Sequence, residues 1–276
     1  MSKDFVFNTT QNDKLRITVY GEKNLSQSPC IILVHGFKGF KDWGFCPYIG
    51  EYFSRRNFFV ITFNFSHNGI GENLTDFTEL DKFAENTFSL EILELSEIIK
   101  AYKNNFFGEC NNRPIGLLGH SRGGGISLLT SKQSHNIKAV AVWASVSDFD
   151  RYSERQKEVW RKKGVFEVLN TRTKQVMRLN VSLLDDLEKN KKTTLNIENA
   201  VKALDKPLFI AHGEQDLTVP VKEAETLYNW SNKKITEFHK IPGTGHTLDV
   251  KHPFEGTNPK LDSLLEKTEN FFKNNL

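Results

Sequence analysis

The chain is poor in cysteine, with three in 276 residues: Cys30, Cys46 and Cys110. Their odd number and the lack of CxxC spacing argue against a disulfide framework and against a zinc site. They suit a reducing compartment, and the cytoplasm is the expected location. Long apolar runs are also missing. The best, residues 30–34 and 139–144, fall far short of the roughly 18 residues a membrane helix needs, so no membrane partner is expected. The segment Met1-Ser2-Lys3-Asp4-Phe5-Val6-Phe7 has no signal-peptide h-region and leads into an alternating pattern instead. Charge of one sign is nearly cancelled, 37 Lys+Arg against 34 Asp+Glu for a net of +3, which is too little to argue for nucleic acid. Neither repeat nor low-complexity linker divides the chain. HExxH, a GxGxxG opening a helix and a Walker-type GK[ST] are absent, so no cofactor and no metal is expected.

What is present is ordinary globular material, 38% hydrophobic and 26% charged, with 22 Phe. Short β-rich runs alternate with longer amphipathic stretches, which implies an α/β fold with a mostly parallel twisted sheet flanked by helices. Strands are predicted at 14–20, 30–34, 58–63, 115–118, 137–143, 207–211 and 235–241. The run 30–34 is apolar throughout, as a strand covered on both faces should be. Helices are predicted at 80–102, where Phe88, Ile92, Leu95 and Ile99 fall at helical spacing, and at 123–131 and 261–272. Between residue 144 and residue 207 no strand is evident; the pattern is charged and helical, as at 151–163 and 183–192. Insertions in such sheets usually cover the carboxyl ends of the strands, where ligands bind. The expected division is a core of residues 1–146 and 206–276 with a helical cap insertion at 147–205.

Within Leu117-Leu118-Gly119-His120-Ser121-Arg122-Gly123-Gly124-Gly125, a G-x-S-x-G sequence follows a strand and opens a helix. The flanking glycines leave room for the strained turn that projects the serine, and the helix N-terminus favours developing negative charge. A serine hydroxyl needs a base, and the base needs an orienting acid, in the chain order Ser, Asp or Glu, His. Asp216 follows the run 207–211, and His246 lies in the Gly-rich loop after 235–241. Asp148 rivals Asp216 as the acid, Glu214 is a further candidate, and His252 is a second candidate base. The oxyanion donors are expected to be the backbone N–H groups of Arg122 and of Phe37, in the loop His35-Gly36-Phe37. His35 and Gly36 would shape that loop. His67 reads as part of a polar turn, and Trp160 and Phe166 could line a pocket or form the insertion's own core.

On these residues the sequence resembles the α/β-hydrolases, in particular the dienelactone hydrolase and prolyl-oligopeptidase-like branch and its bacterial cinnamoyl/feruloyl-type esterases. The resemblance spans the chain and is carried by His35-Gly36-Phe37, Phe63-Asn64-Phe65, Gly119-His120-Ser121-Arg122-Gly123-Gly124, the run from His212 to Pro220, and Gly243-Thr244-Gly245-His246. It implies an α/β-hydrolase fold, a Ser121–Asp216–His246 triad and Phe37 and Arg122 as oxyanion donors. The chain departs from typical cinnamoyl esterases in carrying Arg122 where Gln is common, and from dienelactone hydrolases proper in carrying a serine nucleophile where a cysteine is usual.

The expected activity is hydrolysis of carboxylic esters of small acyl or aromatic acids through an acyl-enzyme. Alternatives are a serine peptidase or amidase and a non-catalytic ligand-binding scaffold. The whole cationic excess belongs to the insertion: residues 151–178 hold nine basic and three acidic residues. A solvated face explains that; the sharper expectation is that this stretch, with Arg122, draws an anionic small-molecule ester toward the site.

Overall fold

The computed structural model describes residues 2–276. The chain opens with β1 (Ser2–Asn8), β2 (Lys14–Tyr20) and β3 (Cys30–Val34), followed by α1 (Cys46–Ser54) and β4 (Phe59–Phe63). Next come α2 (Leu80–Glu85), α3 (Phe88–Lys103), β5 (Ile115–His120), α4 (Arg122–Gln133) and β6 (Ile137–Trp143). The segment before the sheet resumes holds α5 (Glu154–Lys163), β7 (Val165–Leu169), β8 (Val176–Asn180), α6 (Val181–Asn190) and α7 (Ile197–Lys202). The chain closes with β9 (Leu208–Gly213), α8 (Val221–Trp230), β10 (Thr236–Ile241) and α9 (Pro259–Asn275).

Eight strands form one sheet in the order β1-β2-β4-β3-β5-β6-β9-β10. β1 and β2 run antiparallel at one edge, and the pairings from β4 to β10 are parallel. The all-apolar sequences of β3 and β4 follow from burial on both faces. Alternate side chains enter two cores: Cys30, Ile32 and Val34 pack with Leu95, Ile98 and Ile126 of α3 and α4, and Ile31 and Leu33 with Phe53 and Leu265 of α1 and α9. Each such Leu, Ile or Phe contributes roughly 1.5–3 kcal/mol on burial. The three cysteines are free and buried. Among the described residues no helix is long and apolar enough to cross a membrane.

Two expectations differ from the structure. The helix predicted over 80–102 is broken at Asn86 and Thr87. Thr87 is extended (φ −134°, ψ 158°), and its hydroxyl oxygen accepts the Leu90 N–H at 3.2 Å. A threonine that caps the next helix ends the previous one, because its side chain competes with the backbone for hydrogen bonds.

The stretch 147–205 was expected to hold no strand. It carries a two-stranded antiparallel hairpin, β7 paired with β8 from Val165↔Asn180 to Leu169↔Val176. Gly164, in the left-handed conformation (φ 74°), ends α5 and opens the hairpin. Met177 and Leu179 point inward, and the Trp160 ring closes over them, its indole N–H donating to the Leu179 carbonyl at 2.9 Å.

Candidate active site

Ser121 stands between β5 and α4 at φ 57° and ψ −123°, a conformation that costs a non-glycine residue about 1–3 kcal/mol. Close packing holds it there. A Cβ on Gly119 would lie 2.4 Å from the Gly123 carbonyl oxygen, and one on Gly123 would lie 2.3 Å from that of Val34 and 2.4 Å from that of His35. The Ser121 N–H donates to the Trp143 carbonyl at 2.9 Å, so the neighbouring strand β6 ties the turn down.

Asp216 and His246 come from the loops after β9 and β10. Gly213 lets the loops meet, since a Cβ there would lie 2.5 Å from the Thr244 carbonyl oxygen. His246 donates its Nδ1–H to Asp216 Oδ2 at 2.7 Å, and its Nε2 accepts from the Ser121 hydroxyl at 3.0 Å. Asp216 is buried, and its Oδ1 accepts the backbone N–H groups of Thr218 and Val219, each at 2.8 Å. Burial alone would raise its pKa, but hydrogen bonds from His212 and His246 outweigh it and hold the carboxyl well below the usual range.

The loop after β3 lies against the serine: a Cβ on Gly36 would meet the Ser121 Cβ at 2.8 Å and the Arg122 nitrogen at 3.3 Å. Among the described residues, neither the Phe37 N–H nor the Arg122 N–H has a protein acceptor. Two free backbone donors beside a serine oxygen suit an oxyanion. His35 holds this loop, donating Nδ1–H to the Gly36 carbonyl at 3.0 Å and accepting the Phe65 N–H on Nε2 at 3.3 Å. Burial pushes its pKa down to about 4, so the ring is neutral at pH 7.

The Arg122 side chain is buried against the cavity wall. Its guanidinium pairs with buried Glu91 at 3.3 Å and lies 4.3 Å and 4.8 Å from the ring centres of Phe37 and Phe88. A cavity of about 570 Å³ opens at Ser121 and His246, walled by aromatics such as Phe37, Phe88 and Phe149. The 147–205 stretch contributes Tyr152 and the hairpin-turn residues Asn170, Thr171 and Arg172 to the wall.

The rival residues stand elsewhere. Asp148 lines the cavity, but its carboxylate accepts the Asp150 N–H at 2.8 Å and reaches no histidine. Glu214 is exposed. His252 accepts the Gly44 N–H at 2.9 Å and stacks on Trp43. His67 bonds the Ser66 hydroxyl at 2.6 Å beside a separate pocket. That residue, with Asp13 and Glu94, forms the one group of metal-ligand type among the described residues. Trp160 and Phe166 lie outside the cavity wall and pack against each other and Tyr152 within the 147–205 stretch.

Three neighbours escaped the sequence reading. His212 Nε2 lies 3.3 Å from Asp216 Oδ2, Glu91 answers Arg122, and His120 donates Nε2–H to the His246 carbonyl at 2.9 Å. His120 and His212 sat inside motifs already noticed. Glu91 gave no local signal.

The model of the BD-FAE family matches residues 101–231, a stretch that includes Ser121 and Asp216 but ends before His246. No protein of curated function matches the sequence. Among solved structures, the α/β hydrolase GrgF from Penicillium sp. sh18 is similar over 100% of this chain and 99% of its own, with 17% identity and a TM-score of 0.74. Est1E from Butyrivibrio proteoclasticus, with ferulic acid bound, is similar over 98% of each chain, with 18% identity and a TM-score of 0.73. An esterase from Pyrococcus furiosus is similar over 99% of this chain and 90% of its own, with 19% identity and a TM-score of 0.66. With its eight-stranded, mostly parallel sheet between helical layers, the chain has the α/β-hydrolase fold.

Proposed function

We infer that the protein is a cofactor-independent serine hydrolase that cleaves carboxylic esters of small acyl or aromatic acids. The observation that carries this reading is the unbroken Asp216–His246–Ser121 chain of hydrogen bonds, 2.7 Å and 3.0 Å, at a cavity beside two free backbone N–H groups. Ser121 Oγ attacks the ester carbonyl while His246 Nε2 takes its proton; the tetrahedral oxyanion is held by the N–H groups of Phe37 and Arg122. His246 then protonates the departing alcohol, and Asp216 stabilises the imidazolium throughout. Water, deprotonated by the same nitrogen, attacks the acyl-enzyme and releases the acid. The stretch 147–205 acts as a cap whose hairpin turn shapes the cavity. Aromatic walls suit an aromatic or short acyl group, and the ferulic acid held by the similar Est1E points the same way.

A fluorophosphonate probe is expected to label Ser121 in the native protein, and 4-nitrophenyl butyrate to be hydrolysed. A native protein that leaves Ser121 unlabelled and turns over no ester defeats the reading. Turnover of aminoacyl-nitroanilides without ester turnover would make the protein a peptidase or amidase instead.

A further inference from the structure

Five cations line the cavity, and carboxylates answer three of them. Lys41 pairs with Asp42 at 2.8 Å, Arg122 with Glu91 at 3.3 Å and Arg151 with Glu223 at 3.4 Å. Lys38 and Arg172 have no carboxylate within 4.0 Å among the described residues. The one carboxylate in the wall, Asp148, is taken up by the Asp150 N–H.

Lys38 follows the oxyanion donor Phe37 and adopts φ 57°, an uncommon conformation for a residue with a side chain. Its amine lies 5.6 Å from the Phe37 ring centre and 3.5 Å from the Leu169 carbonyl oxygen, at the base of the hairpin turn. Burial lowers its pKa, with no acid opposing the effect. Arg172, on that same turn, lies 5.9 Å from the ring centres of Phe40 and Phe77. Lys38 is part-buried and bears a desolvation cost that an incoming anion would relieve, and exposed Arg172 at the cavity mouth has no carboxylate partner to compete with that anion.

We propose that Lys38 and Arg172 form a subsite for a carboxylate borne by the substrate, so that the favoured esters are anionic. The inference rests on the hydrolase reading above. It also relocates the charge expected from the sequence. Along α5, Lys157 pairs with Asp150 and Glu154 and Arg161 with Asp185 and Glu188, while Arg155, Lys162 and Lys163 line no part of the cavity. The unpaired positive charge that lines the cavity sits on the oxyanion loop and the hairpin turn.

Three esters separate the outcomes: neutral 4-nitrophenyl butyrate, mono-4-nitrophenyl glutarate with the carboxylate on the acyl side, and 4-butyryloxybenzoate with it on the leaving group. One of the two anionic esters is expected to exceed its methyl-esterified counterpart in kcat/KM, and the winner tells which side the subsite serves. Lys38→Met and Arg172→Met should each cut that advantage on the order of tenfold while changing neutral-ester turnover little. The double variant should lose both the advantage and its salt dependence. Arg161→Met, on the exposed face of α5, is the control and should change nothing; thermal melts of each variant verify folding. Loss shared equally by neutral and anionic esters, or no anionic advantage in the wild type, overturns the subsite. If neutral ester is hydrolysed and Ser121 is labelled in that case, only the subsite fails. If neither occurs, the hydrolase reading fails and takes the subsite with it.

Discussion

The Nε2 of His212 lies 3.3 Å from Oδ2 of Asp216, the oxygen that also takes the Nδ1–H of His246. The same nitrogen is 2.7 Å from the Val219 carbonyl, so it carries a hydrogen and divides it between the two oxygens. His212 thereby positions the acid without touching substrate. His212→Ala is expected to lower kcat between about 10- and 100-fold, the loss of a charge-assisted hydrogen bond, with KM nearly unchanged. His212→Gln, which can still donate, should recover part of the loss. Unaltered kcat in a folded His212→Ala would show that the Thr218 and Val219 amides suffice.

Arg122 and Glu91 make a separate test of burial. Removing only the arginine leaves a buried carboxylate without counter-charge, and Arg122→Met is expected to cost about 3–5 kcal/mol in denaturant unfolding. The double variant Glu91→Met with Arg122→Met should recover most of that. Because the backbone N–H of residue 122 survives both changes, the double variant should hydrolyse esters within about tenfold of wild type. Collapse of activity in a well-folded double variant would mean that the guanidinium itself meets substrate.

The glycines around the elbow differ sharply in the room beside them. Gly123→Ala drives a Cβ into two carbonyl oxygens at 2.3 Å and 2.4 Å and should destabilise the fold by ~3 kcal/mol or more, or prevent it. Gly245, whose nearest such neighbour is 3.6 Å away, should accept alanine with a change of less than about 1 kcal/mol. Thermal melts of the two variants decide the matter.

Two buried groups, His35 and Glu94, set opposing slopes of stability against pH, and above pH 6.5 stability should decline. His35 has its folded pKa pushed down by burial to about 4, so below pH 6.5 the unfolded chain takes up the proton first. Taken alone, His35 therefore removes up to ~3 kcal/mol as pH drops from 6.5 toward 4. Glu94 is buried and has its pKa raised to about 8, so the folded chain holds a proton that the unfolded chain has lost. That loss begins near pH 4.5, so Glu94 offsets His35 up to pH 6.5, and between pH 6.5 and 8 it should remove ~2 kcal/mol unopposed. Glu94→Gln is expected to flatten the alkaline decline and to steepen the acid-side loss that Glu94 otherwise offsets. A decline of equal slope in the variant would assign it to another group.

Much of the site was legible because its parts are local. The glycines, serine, histidine and acid each sit at the end of a strand with its own apolar signature, and the strand order of this sheet brings those ends to one edge. The features missed depend on residues distant in sequence or on competition between local signals. Glu91 meets Arg122 across 31 positions. The alternation in Val165–Leu169 and Val176–Asn180 was masked by the surrounding charge. Thr87 looked like one turn of a continuing helix until its side chain was seen capping the next one.

The hairpin turn and the elbow differ in how freely their sequences can change. β6 and β9 are parallel neighbours, so the chain between them must travel back along the sheet, and α7 is the helix that packs on α4 while it does so. Residues 151–195 add no strand to the eight-stranded sheet. Rewriting the six positions between β7 and β8 would leave the register of every core strand untouched, whereas a single methyl group at Gly123 would not. Natural drift and laboratory recombination should therefore reach new substrates by exchanging this small ribbon, with the chemistry below it inherited unchanged.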